Sequence, residues 1–315
     1  MSRRFAYLFP GQGAQYVGMG KDFYDQFPIA RQTFEEADDL LGQTFSKLIF
    51  EGPGEELTLT KNSQLAIYIV SIAIWRTFQQ QCPDVHPTLC AGLSLGEYTA
   101  LTAAGKVSFA DCLQLVKARG LYMHEACLSS PGTMRVVLGL EVEAVEKALA
   151  ELGSDSKVWI ANLNCPGQVV IAGDLAHMDK AAEHLKVRGA KRVLPLDVSG
   201  AFHSPLMREA QERLSPIIQA TPLKETPVSL IMNSVGRVVS SLDEIRKSMT
   251  DQVTHPVFWE KGIRSVEGSV DLYIEMGCGK TLSGMNKKIG TLAPTLTLEK
   301  VTDLDTVITS LMAGV

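Results

Sequence analysis

Gly92-Leu93-Ser94-Leu95-Gly96 has the form G-x-S-x-G, in which a serine sits on a tight strand-to-helix turn with its Oγ exposed. The glycines let strand and helix pack closely around the turn. The amide after the serine, at Leu95, and the N-terminus of a helix opening at Glu97-Tyr98 would favour an oxyanion. A serine nucleophile needs a base, and the chain offers six histidines: His86, His124, His177, His184, His203 and His255. His203 stands in Ser199-Gly200-Ala201-Phe202-His203-Ser204-Pro205, between a strand end and a helix start. A helix N-terminus disfavours imidazolium and leaves a neutral ring able to accept a proton. His177 and His184 fall on a surface helix, and His86 in a loop before Pro87. Each reading has a plainer rival: a Gly-Ser loop for the elbow, and a histidine that merely ends a strand. Arg119, in Lys117-Ala118-Arg119-Gly120, reads by itself as an exposed arginine toward a helix C-terminus. Gly277-Cys278-Gly279-Lys280-Thr281 follows a strand and hints at a phosphate loop. The Walker pattern needs glycine where Ile274 stands, so it is rejected as one.

Short apolar runs and helical periodicity must position these groups. Phe5 to Phe9 reads as a buried strand stopped by Pro10 and Gly11-Gln12-Gly13. Phe23 to about Ile74 is mostly helical, broken at Gly52-Pro53-Gly54. Thr88 to Gly92 reads as a strand and Glu97 to Ala104 as a helix. Ser108-Phe109-Ala110-Asp111 opens a further helix with a capping box. Residues 131 to 198 differ: strand Met134–Leu140, helix Val142–Leu152, strands Val158–Leu163 and Gln168–Ala172 about a Pro166-Gly167 turn, helix His177–Val187, strand Arg192–Val198. That βαββαβ order is the split unit of ferredoxin-like folds. Ser204 with Pro205 opens a helix to about Ala220. Then follow Val228–Asn233, a helix near Asp243–Thr250, and strand Val270–Met276.

Composition narrows the class. The chain has 315 residues, with 30 Lys plus Arg against 35 Asp plus Glu, a net charge of −5. No basic excess suggests a general nucleic-acid binder. Hydrophobic residues at 45% and charged residues at 21% describe an ordinary globular chain. Leu65 to Ile74 is too short for a membrane span and reads as a buried helix. Phe5 to Phe9 after Arg3-Arg4 is too short for a secretory core, so cytoplasmic residence is expected. The six cysteines show no C-x-x-C and no metal-ligand spacing, so reduced thiols and no metal are expected.

Phe9-Pro10-Gly11-Gln12-Gly13, Gly92-Leu93-Ser94-Leu95-Gly96-Glu97, Arg119-Gly120, Asn162-Leu163-Asn164-Cys165-Pro166-Gly167-Gln168 and Gly200-Ala201-Phe202-His203-Ser204, taken together, resemble the malonyl-CoA:acyl carrier protein transacylases of bacterial fatty acid synthesis. The matches run in family order from Phe5 to about Gly284. The resemblance implies an α/β fold: an α/β-hydrolase-like large domain (1–130 and 199–315, discontinuous) with an inserted ferredoxin-like small domain (131–198). It implies ping-pong transfer through a malonyl-serine, with Ser94 the nucleophile and His203 the general base. Gln12 and Leu95 would form the oxyanion hole. Arg119 would hold the malonyl carboxylate through its planar fork, for which Lys is a poor substitute; such a bond contributes about 1.5–3 kcal/mol. Phe202, Met123, Gln252 and Asn162 would be substrate-binding, Phe202 as in malonyl-selective relatives, and the Gln252 carbonyl would orient His203 in place of a triad acid.

The implied partners are malonyl-CoA and acyl carrier protein, with no cofactor, nucleic acid or membrane; the oligomeric state is open, a monomer being allowed. Lys186, Arg188, Lys191 and Arg192, with Lys280, Lys287 and Lys288, are candidates for docking an acidic carrier, each against the plainer reading of a solvated charge. Two positions depart from the family: Leu93, where most relatives have His, and Arg135, where a small residue is usual, leaving open whether it faces solvent or the acyl pocket. A hydrolase on the same elbow, and a non-catalytic carrier-binding module, are the rival functions. Arg119 and the missing triad acid argue against the first, Ser94 with His203 against the second.

Overall fold

The computed structural model of the chain describes residues 3–312. β1 (Phe5–Phe9) leads through α1 (Lys21–Gln26), α2 (Pro28–Leu41), α3 (Phe45–Glu51), α4 (Gly54–Thr58) and α5 (Thr60–Gln81) to β2 (Pro87–Gly92), α6 (Gly96–Ala103) and α7 (Phe109–Ser129). Next come β3 (Gly132–Leu138), α8 (Val142–Ala150), β4 (Val158–Cys165), β5 (Gln168–Asp174), α9 (Leu175–Val187) and β6 (Arg192–Pro195). The chain then runs through α10 (Arg208–Ala220), β7 (Ser229–Met232), β8 (Arg237–Val239), α11 (Leu242–Gln252), α12 (Trp259–Arg264), β9 (Leu272–Met276), α13 (Thr281–Ile289), β10 (Thr295–Leu298) and α14 (Val301–Met312).

The fold is mixed α/β with two sheets. Six strands in the order β10-β9-β1-β2-β7-β8 form one, parallel except for the antiparallel β7–β8 pair. β1 and β9 are buried along almost their whole length, as a sheet covered on both faces demands, and their apolar runs made them readable. The second sheet, order β4-β5-β3-β6, is antiparallel throughout. α8 and α9 cover one of its faces through Val137, Ile171, Val145, Met178 and Leu185. Val257, just after α11, donates to the Ala161 carbonyl and accepts from the Leu163 amide (both 2.8 Å), tying β4 to the larger sheet's side of the molecule. α5 is the central buried helix expected from Leu65–Ile74. Among the described residues no helix is long and apolar enough to cross a membrane.

Several expected boundaries shift for local reasons. β6 ends at Pro195 rather than Val198, since proline has no N–H to continue a ladder. Ser204 caps a 3₁₀ turn, Pro205–Met207, and α10 begins only at Arg208. β8, α12, α13, β10 and α14 were not foreseen; the two strands are three and four residues long and α12 only six. Ser108 caps α7 as expected, its Oγ accepting from the Asp111 amide (3.0 Å). The rejected phosphate loop has its own occupant: Glu275 in β9 accepts from the Leu282 and Ser283 amides at the start of α13 (2.9 and 2.7 Å). A carboxylate therefore already fills the place an anion would take; burial raises its pKa to about 7.

Candidate active site

β2 delivers the elbow. A Cβ on Gly92 would lie 1.9 Å from the Gly96 carbonyl carbon, and one on Gly96 2.1 Å from the Phe9 oxygen. Only bare backbone lets β1, β2 and α6 approach this closely around Ser94. Ser94 has φ +52° and His203 φ +57°; among the described residues they are the only non-glycine residues with positive φ. Such backbone costs free energy and persists where the surroundings over-determine it.

The two meet. Ser94 Oγ lies 2.9 Å from His203 Nε2, and His203 Nδ1 lies 2.7 Å from the Gln252 carbonyl. A carbonyl only accepts, so Nδ1 carries the proton and Nε2 is free to take the serine's. His203 is buried; that burial and the nearby Arg119 charge lower its pKa to about 4, against the carbonyl's opposing pull.

Arg119 is not the exposed arginine its surroundings in sequence suggested, being 1% exposed. It donates to Ser94 Oγ (3.1 Å), Gln252 Oε1 (2.8 Å) and Gln64 Oε1 (2.5 Å), with its guanidinium carbon 5.1 Å from the centre of the Tyr98 ring. Every one of these acceptors is neutral, and among the described residues the cation forms no salt bridge. Nearby Glu97 is itself buried, its pKa raised to about 8 by desolvation. The guanidinium fork is thus a buried cation aimed at the nucleophile and lacking an anion.

Gln12, Met123, Asn162, Phe202 and His203 join Ser94 in lining a cavity of about 250 Å³ between the two sheets. Asn164 and Gln168 line it too, and the buried Asn164 Oδ1 has no partner. The Gln12 and Leu95 amides take no hydrogen-bond partner among the described residues, the state expected of oxyanion donors. Gln252 departs from its expected place in the substrate wall. It is fully buried behind the serine, its side chain held by Arg119 and by the Ser94 carbonyl (3.0 Å). Arg135 faces α9 and pairs with Asp179, while its strand neighbours Met134 and Val136 line the cavity; strand alternation turns it away. Leu93 is half-buried and packs against the apolar cluster around Val257 and Trp259.

Sequence reasoning missed Gln64, whose signal was a polar residue in the apolar run of α5, and Asn233, which binds the elbow backbone from the end of β7. Nothing in the sequence alone marked Asn233.

A serine with a buried neutral imidazole, a waiting cation and two free amides is equipped for acyl transfer through an ester on Ser94. The acyl transferase domain family matches residues 6–272. The chain is 43% identical to the malonyl CoA-acyl carrier protein transacylase of Bacillus subtilis (strain 168) over 288 residues, 91% of this chain and 90% of that one. It superimposes on the Streptococcus pneumoniae enzyme of that kind with TM-score 0.92 at 39% identity, covering 98% and 100% of the two chains. It matches a malonyl-transacylase solved in complex with a type II PKS acyl-carrier protein with TM-score 0.93 at 36% identity, covering 98% and 99%. The chain belongs to the malonyl CoA-acyl carrier protein transacylase family.

Proposed function

We propose that this enzyme moves a malonyl group from malonyl-CoA to the phosphopantetheine thiol of acyl carrier protein, supplying fatty acid synthesis. One observation carries the substrate: the buried Arg119 fork, 3.1 Å from Ser94 Oγ, has only neutral partners. A malonyl ester on that oxygen carries its carboxylate two bonds beyond the acyl carbon, within the fork's reach. A neutral acetyl group would leave the cation unpaired.

In the forward half-reaction Ser94 Oγ attacks the thioester carbonyl as its proton passes to His203 Nε2. The Gln252 carbonyl steadies the imidazolium through Nδ1–H. The Leu95 and Gln12 amides bind the oxyanion; losing one such donor typically costs about 10²–10³-fold in rate. The tetrahedral adduct expels CoA thiolate, which takes the proton from His203. The carrier's thiol then repeats the steps in reverse. Met123 and Phe202 shape the acyl end of the cavity, and Asn162 with the unpartnered Asn164 oxygen offers hydrogen bonds to the amides of the pantetheine arm. The chemistry asks for no metal or redox cofactor.

The strand order β4-β5-β3-β6 with two covering helices supports a ferredoxin-like insertion, 131–198, in an α/β-hydrolase-like domain of 1–130 and 199–315. The carrier docks on the exposed cations Lys280, Lys287 and Lys288 and on Lys186, Arg188, Lys191 and Arg192. All are exposed, and Lys288 reaches across to Gln168 (3.2 Å). The reaction runs in the cytoplasm.

Intact-protein mass spectrometry after mixing with malonyl-CoA, beside acetyl-CoA and a Ser94→Ala control, tests this. One malonyl adduct, absent with acetyl-CoA and in the control, is expected. Equal labelling by acetyl-CoA would remove the carboxylate clamp. Free malonate and CoA without an adduct would replace the transferase by a hydrolase.

A further inference from the structure

We propose that Asn233 is a positioning residue that holds the nucleophile's backbone in its left-handed conformation and so reserves the Leu95 amide, rather than that of Ser94, for the oxyanion. The inference rests on the serine acyl-transfer reading above.

β7 pairs with β2 only as far as Leu89↔Ser229 and Cys90↔Leu230. Beyond Met232 the strand ends, yet the ladder is continued by a side chain. Asn233 Oδ1 accepts from the Ser94 amide (2.6 Å), and Asn233 Nδ2 donates to the Gly92 carbonyl (2.8 Å). One amide group thus binds the backbone on both sides of Leu93, as a neighbouring strand would. It does so where the chain leaves extended geometry and turns to φ +52°.

Asn233 is itself immobilised. It is 1% exposed, its amide donates to Glu97 Oε2 (2.6 Å), and its carbonyl accepts from Phe258 (2.9 Å). Glu97 lies in the first turn of α6, so strand end, elbow and following helix close into one ring of hydrogen bonds. With the serine N–H engaged behind the turn, the next free donor along the chain is Leu95. A primary amide offers an acceptor and a donor on one planar group whatever the pH, and asparagine's arm, shorter than glutamine's, fits this spacing.

Asn233→Ala leaves both backbone groups unpaired and frees Ser94 to relax. A misplacement of about 1 Å costs on the order of 10²-fold, so single-turnover malonylation should slow by about that factor. The KM for malonyl-CoA should stay within about twofold, because the cavity wall is untouched. The acid limb of the pH profile should stay in place, because His203 is held by Gln252. Asn233→Asp guards against simple misfolding. Its carboxyl keeps the acceptor for Ser94 but, when ionised, sets an oxygen against the Gly92 carbonyl; protonated, it donates there as the amide did. The rate of this variant relative to wild type should therefore climb as pH falls, with buried Glu97, Arg119 and His203 the ionisable groups around it. A folded Asn233→Ala variant acylating at the wild-type rate, a loss confined to KM, or an Asn233→Asp ratio flat with pH would each overturn the proposal.

Discussion

The two sheets contribute to one cavity in different ways. From the parallel side come Ser94, His203 and Gln12, backed by Arg119, 3.1 Å from the serine oxygen, and by the Leu95 amide, with Ser94 and His203 on strained backbone. From the antiparallel side come Met134, Val136, Asn162, Asn164 and Val170, apolar or neutral, none on positive-φ backbone. One unit holds the charged and polar groups around the serine; the other supplies an uncharged wall that closes the cavity. Positional demand and charge thus sit together, and tolerance lies opposite.

The division predicts that the largest losses all lie on the parallel side. Ser94→Ala and His203→Ala should each cut turnover by about 10⁴- to 10⁶-fold, since members of one catalytic unit fail together. Val136→Ala and Asn162→Ala should instead act mainly on the KM for malonyl-CoA. Steady-state kinetics with mass spectrometry of the acyl-enzyme measures both sets. A wall substitution that abolished the adduct as thoroughly as Ser94→Ala would break the division.

Next in size is the cation. Arg119→Ala should lower kcat/KM for malonyl-CoA by about 10- to 100-fold, the equivalent of the 1.5–3 kcal/mol of a charged hydrogen bond. Acetyl-CoA should lose no more than the small part owed to the Ser94 contact. Arg119→Lys should recover little, because a point charge cannot replace the fork. Competition between the two thioesters reads the ratio directly.

The same residue adds to the pH response. His203 has its pKa lowered to about 4 by burial first and the Arg119 charge second. A lowered pKa keeps the base neutral as pH falls, so acylation should survive below the ordinary imidazole range of about 6.5 and fail only toward about 4. Arg119→Met removes the repelling charge and should move the acid limb upward. A limb near 6.5 in wild type, unmoved in the variant, would show that neither cause acts on this ring.

How much of this was legible follows from the range of the interactions. The elbow, the βαββαβ succession of elements along 131–198 and the cap at Ser108 are written in local pattern, and they stand where the sequence put them. Arg119 by itself misled, because its burial depends on Gln64 and Gln252, 55 and 133 residues away. Gln252 was expected both to orient His203 through its carbonyl, where it does lie 2.7 Å from Nδ1, and to line the substrate wall, where it does not: its side chain is buried behind the nucleophile on Arg119 and the Ser94 carbonyl. Asn233 was invisible for the same reason: an asparagine after a short apolar strand looks like any turn residue until β2 lies beside it. Only a family pattern spanning the chain could have carried such distant pairings.

The smallest expected effect lies outside the cavity, at the exposed cations of both units that are proposed to meet the carrier. Lys186 is paired with Glu183 and Arg188 with Glu151 (both 2.7 Å), so reversing either also discards an internal partner. Lys280 and Lys287 on the parallel side and Lys191 and Arg192 on the antiparallel side form no salt bridge among the described residues, which leaves them the cleaner test. Exposed charge pairs are worth about 0.2–1 kcal/mol each. Lys280→Glu with Lys287→Glu, or Lys191→Glu with Arg192→Glu, should therefore raise the carrier-protein KM by several-fold while leaving kcat and the melting temperature near wild type. The effect should shrink as salt rises. If only the parallel-side pair matters, the antiparallel unit serves the small substrate alone and the contrast between the sheets sharpens. If both matter equally, the carrier straddles the cleft and the contrast stops at the cavity wall. A carrier-protein KM unchanged by both pairs would remove this surface from the docking reading.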